Sequence, residues 1–158
     1  MSDWIQVRGL VQQGYGVASG KAGNPRFPHG TLAMQKAFFR EQGLNLEEYF
    51  LGTLNLSIAP YRYEVRKAKY TFRNVKWSVN DPAEDFSFFD CQILTPTHKR
   101  LSGLIYYPHP ETKPEHFQAP DVLEIITSFI SDLKYGDALT LEVDRQQMDI
   151  APCNEVRT

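Results

Sequence analysis

The chain has 158 residues, a length that fits a single domain over 1–158, able to bury about two thirds of its unfolded surface around one core. Its formal net charge is -2 and its charged residues are interspersed, so no basic face points to nucleic acid or to an anionic membrane as a partner. Apolar runs are only a few residues long, which excludes a membrane-spanning helix; the opening MSDWIQ lacks the charged-then-apolar pattern of a secretory signal, so a cytoplasmic location is expected.

Residues 5–11, IQVRGLV, alternate in polarity and predict a strand. Residues 31–42, TLAMQKAFFREQ, are rich in straight-chain helix formers and stop at Gly43; they predict a helix with an uneven apolar stripe of Leu32, Met34, Phe38 and Phe39. Residues 53–58, TLNLSI, predict a strand with Leu54, Leu56 and Ile58 on one face and Thr53, Asn55 and Ser57 on the other. Asn is depleted in strands because its amide competes for backbone partners, so Asn55 calls for an edge position or for a ligand. Further period-two segments follow at 69–77 (KYTFRNVKW), 86–94 (FSFFDCQIL), 103–107 (GLIYY) and 139–143 (LTLEV). Pro60, Pro82, Pro96, Gly103, Pro108 and Gly136 punctuate them as turns in a mainly β barrel or sandwich would. Asp81, Glu84 and Asp85 beside Pro82 read as a solvated acidic loop.

Residues 107–120, YPHPETKPEHFQAP, are broken by prolines into a long loop, a type of segment that is often functional. Within it His109, Glu111 and His116 form an H-x-E-x4-H set, which in a His-dependent metalloenzyme would bind zinc or iron; a lid over a ligand is the other reading. In residues 120–134 Val122, Ile126, Phe129, Ile130 and Leu133 fit one helical face, and periodicity alone favours a helix from Pro120, although VLEII also fits a buried strand. Cys91 and Cys153 lie far apart with no C-x-x-C spacing, which fits reduced thiols and excludes a cysteine-rich zinc module. Eight tyrosines serve equally a surface that stacks on a planar ligand or an aromatic core.

The stretch GTLNLSI, residues 52–58, resembles a signature of the CTP-dependent riboflavin kinases of archaea, small cradle-loop barrels in which a G-T-L-N run supplies a threonine and an asparagine to magnesium. RGLVQQGYGVASG, residues 8–20, is similar to that family's first strand and glycine-rich phosphate loop, with Gly9, Gly14 and Gly16 in corresponding places. APDVLEIITSFISDLKYGDALTLEV, residues 119–143, resembles the closing segment, where an L-E-I-I run contacts the flavin and a G-D turn leads into the last strand. The resemblance implies a small six-stranded closed barrel with one or two short helices, with VLEII as a strand and a helix only over 128–134. It implies Mg held by Thr53 and Asn55, and CTP as the nucleoside triphosphate co-substrate. Gly14, Tyr15, Gly16, Ser19, Gly20 and Lys21 would receive the nucleotide, while Glu124 and His116 would face the flavin. The chain departs from the family at Val17 and Ala18, where a third glycine is usual, at His116, where a threonine stands, and at Leu133-Lys134, where a Leu-Arg pair stands.

Phosphoryl transfer asks a protein mainly for a phosphate clamp, a metal and an aligned acceptor hydroxyl. A loop with Gly14, Gly16, Ser19 and Gly20 can turn backbone N–H groups toward an anion, with Lys21 as a point charge; a hairpin or bulge explains the same glycines. Thr53 and Asn55 are neutral, so magnesium there is expected to need phosphate oxygens to complete its shell; a solvated strand face is the alternative. Glu124 lies in an apolar run and needs a partner, whether a flavin N–H, a ribityl hydroxyl, an arginine or water. Three classes therefore stand: a riboflavin kinase-like transferase, a silent module binding nucleotide or flavin, and a His-dependent metalloenzyme.

Overall fold

A computed structural model describes residues 3–12, 31–50, 53–79, 82–112, 119–128, 130 and 133–152. Alternating polarity becomes strand wherever one face can be buried. In β1 (Trp4–Gln12) Val7, Gly9 and Val11 turn inward while Gln6, Arg8 and Leu10 face out. The chain continues through α1 (Thr31–Glu41), β2 (Leu54–Ser57), β3 (Tyr61–Val65), β4 (Tyr70–Val75), β5 (Glu84–Leu94), β6 (Arg100–Pro108), β7 (Val122–Ile126), β8 (Ala138–Asp144) and β9 (Met148–Pro152). The fold is mainly β. Seven strands form one antiparallel sheet in the order β4-β5-β6-β7-β2-β1-β8, and β3 and β9 make a separate two-stranded ribbon.

The 11-residue β5 organises the sheet. One edge pairs with β6 from Phe86 to Leu94. The other edge is divided, with β4 against Glu84 to Phe88 and β8 against Cys91 to Leu94. Because β8 also pairs with β1, the ladder runs from β5 through β6, β7, β2, β1 and β8 back to β5.

Each face of the sheet carries its own apolar cluster. The first is built from Val7, Leu56, Ile58, Phe89, Ile93, Ile105, Ile125 and Leu141 among others. Gly9 belongs to this face for lack of space: a Cβ there would lie 2.5 Å from Leu56 Cγ, inside van der Waals contact. The second cluster lies under α1, where Leu32 and Phe39 are fully buried against Phe72, Phe86 and Phe88. Phe39 makes edge contacts with Phe86 and Phe88 at centroid distances of 5.1 and 5.0 Å. The helix ends as expected at Gly43, whose φ of 107° suits the left-handed exit that glycine adopts without strain. Its apolar stripe is narrower than expected, because Met34 and Phe38 face outward and Gln35 takes a buried place beside Leu32 and Phe39.

VLEII is a strand, as the resemblance implies and against the helix from Pro120 that periodicity alone favours: Leu123 and Ile125 pack on the first cluster and Ile126 on the second, and burial on both faces erases the period of two. The short helix expected over 128–134 falls on a stretch where 129, 131 and 132 lie outside the described residues. The acidic loop beside Pro82 is in part the start of β5, where Glu84 is buried and accepts a 3.0 Å hydrogen bond from Trp77 Nε1. Cys91 is a free, fully buried thiol whose ionisation is pushed far up by desolvation; Cys153 lies outside the described residues. Among the described residues no helix is long and apolar enough to cross a membrane.

Candidate functional site

Strand register assembles the site. In the antiparallel pair β2–β7, Asn55 lies opposite Glu124. On its other side Glu124 lies opposite Tyr106 of β6, and Asn55 in turn lies opposite Gln12 of β1. Directly opposed residues share a face, so Gln12, Asn55, Glu124 and Tyr106 form one row across four strands. It is the face of the second cluster, away from Leu54, Leu56 and Ile58. Thr53 stands two residues before Asn55, and its hydroxyl donates to Glu124 Oε1 at 3.2 Å.

Two neighbours fix the end of the row. Tyr106 is buried and donates its hydroxyl to Gln35 Oε1 at 2.8 Å, tying α1 to the sheet beside Glu124. Burial holds the Tyr106 hydroxyl well above its ordinary range, helped by the carboxylates of Glu124 and Glu84, so Tyr106 stays a donor. Glu124 itself is only 6% exposed. Asn55 Oδ1 is buried and has no hydrogen-bond partner among the described residues. A buried acceptor in that state is costly, and it marks a place where a cation or an N–H or O–H donor would be stabilised.

Thr53, Asn55 and Glu124, drawn from two distant segments, are thus brought together. A hydroxyl, a carboxamide oxygen and a carboxylate are hard oxygen donors of the kind that suit a small divalent cation such as magnesium, and the carboxamide oxygen is unpartnered among the described residues. The other expected ligand-binding residues, Gly14, Tyr15, Gly16, Ser19, Gly20, Lys21 and His116, lie outside the described residues. His109 lies in the turn after β6, where Nε2 shares a 2.6 Å hydrogen bond with Ser87 Oγ, itself 3.0 Å from Thr71 Oγ1. Burial holds its pKa below the ordinary value, opposed by the charges of Glu111 and Asp85. Among the described residues no group of three or more His, Cys, Asp or Glu is placed to hold a metal ion. Sequence reasoning missed Gln35 and Tyr106. The signal for Gln35 was a polar residue at helical spacing between Leu32 and Phe39, on the stripe that the helix buries.

No protein-family model and no curated protein matches this chain.

Proposed function

We propose that the chain is a magnesium-assisted phosphotransferase of the riboflavin kinase type, with its ring of strand pairings closed as a cradle-loop barrel. One observation carries the reading: Thr53, Asn55 and Glu124 converge on one face, and Asn55 Oδ1 there is a buried acceptor lacking a partner among the described residues. Thr53 and Asn55 would hold magnesium, which when bound supplies charge neutralisation for the transferring phosphoryl group. By the resemblance, the loop with Gly14, Gly16, Ser19, Gly20 and Lys21 receives the phosphates of CTP. The ribityl 5′-oxygen of riboflavin forms a bond to the γ-phosphorus as the bond to the nucleoside diphosphate breaks, and the hydroxyl proton is released. The products are FMN and the diphosphate.

The test is mass detection of FMN after incubation with riboflavin, magnesium and each of the four nucleoside triphosphates in turn. FMN with one of them, lost on chelation of magnesium, is the expected result; riboflavin recovered unchanged with all four refutes the transferase. A second reading, a silent module binding nucleotide or flavin, is favoured by Val17 and Ala18 in place of a third loop glycine, since added side chains restrict close approach of backbone to phosphate. Saturable ligand binding without FMN formation would select it.

A further inference from the structure

We infer that the ring of strand pairings parts locally between β5 and β8, and that Gln147 is the latch holding this seam shut. The inference does not depend on what the candidate site binds.

The seam starts where β5 changes partner. β4 pairs as far as Phe88 and β8 takes over at Cys91, so among the described residues Asp90 has no strand opposite it on that edge. Gln147, in the turn between β8 and β9, supplies what a strand would. Its Oε1 accepts the Asp90 N–H at 2.8 Å, and its Nε2 donates to Asp90 Oδ2 at 3.0 Å, an oxygen that also lies 3.4 Å from Lys69 Nζ. The main chain of Gln147 is engaged as well: its N–H donates to Asp144 O at 2.8 Å, and its carbonyl accepts the N–H groups of Arg66 and Lys67, each at 2.9 Å. One residue thus fastens the end of β8 to β5 and to the segment after β3. Gln147 and Asp90 are half-buried, so water can take over these bonds when they break, which keeps local opening cheap. The packing of Cys91, Ile93, Leu141 and Val143 in the first cluster draws the two strands back together. When the seam parts, β8 stays paired with β1 along Trp4 to Leu10. The row of Gln12, Asn55, Glu124 and Tyr106 spans β1, β2, β7 and β6, whose mutual pairings do not cross the seam, so opening leaves that row in register.

The experiment is amide hydrogen exchange of the full chain, followed residue by residue by nuclear magnetic resonance in dilute urea. In wild-type protein the amides that pair β5 with β8 should exchange faster than those that pair β5 with β6, through openings less sensitive to urea because they expose less surface. Gln147→Met keeps the length of the side chain and deletes both of its polar atoms. It should speed exchange of the Asp90 amide and of the β5–β8 amides by about tenfold or more, and that of the β5–β6 amides by less than about threefold. Equal acceleration in every ladder overturns the inference, because Gln147 would then stabilise the fold as a whole. Acceleration confined to the Asp90 amide, or none anywhere, overturns it too, since no seam would open. If Gln147→Met does not fold, the wild-type measurement decides alone: β5–β8 amides as slow as those of β5–β6 at every urea concentration overturn the inference.

Discussion

Tyr106→Phe deletes one oxygen and leaves the ring in place. The donor it removes serves Gln35 Oε1 at 2.8 Å, and the two residues are 5% and 2% exposed, so water has little access to replace it. The loss is that of a buried acceptor left unsatisfied, about 1–3 kcal/mol, larger than the net value of an ordinary hydrogen bond. For a chain of this length 1 kcal/mol corresponds to about 2–4 °C, so a loss of about 2 kcal/mol lowers Tm by about 4–8 °C. Combining Tyr106→Phe with Gln35→Met removes the stranded acceptor as well. The double variant should therefore recover most of the loss, with a coupling energy of about 1–2 kcal/mol between the two positions. Urea unfolding followed by circular dichroism measures all four proteins, and the m-value should stay constant. A Tyr106→Phe variant within about 0.5 kcal/mol of wild type, or a double variant equal to the sum of the singles, would refute the claim that this bond fastens α1 to the sheet.

Gly9→Val should cost about 1–3 kcal/mol in urea unfolding, because its Cβ would meet the fully buried Leu56 side chain. The Glu142 pKa is held below its ordinary 4.5 by the hydrogen bond from Gln6 and by Arg100, so its contribution to stability is present above that value and lost as pH falls through the lower folded value. Glu142→Gln should accordingly lower the urea midpoint at neutral pH, with the gap closing in acid. Burial pushes Tyr63 up to about 12 from 10.0, so the protonated form is favoured in the folded state and stability drains away as pH rises between those values. Ultraviolet titration should show a late-ionising fraction of the phenols, and Tyr63→Phe should remove one phenol from it while Tyr106 remains. Asn55→Ala should lower FMN formation about a hundredfold, roughly 3 kcal/mol, while riboflavin affinity measured by fluorescence quenching stays nearly constant; equal loss of both would place Asn55 in flavin binding instead.

Seven of the strands were legible because each has a segment whose polarity alternates or whose resemblance marked it. β1 and β8 are the clearest, with Val7, Val11, Leu139, Leu141 and Val143 all turned to one face. β7 was ambiguous for the reason that makes it central, since a strand covered on both sides has no polar face to announce its period. β3 and β9 went unread. In β3 the alternation of Tyr61, Tyr63 and Val65 with Arg62 and Glu64 is present, but all except Tyr63 are exposed and no large apolar contrast marks it. β9 is short and ends on Pro152, a residue that argues against a strand unless it lies at an end or edge. The site was half legible. Thr53 and Asn55 stand out as polar residues on one face of a strand, whereas their meeting with Glu124 depends on the β2–β7 register, which no local pattern encodes.

The divided edge of β5 also shapes how the chain can be made. β1 is made before every other described strand, yet its edge from Trp4 to Leu10 is paired by Ala138 to Asp144, which follows far later in the chain. Until then β1 and the C-terminal half of β5 both present open strand edges, each a template for the wrong neighbour. Such long-range closure makes folding slow relative to helical proteins of similar size, and growth of the nascent chain leaves these edges waiting for the same late partner. A single strand, β8, ends the exposure of both at once.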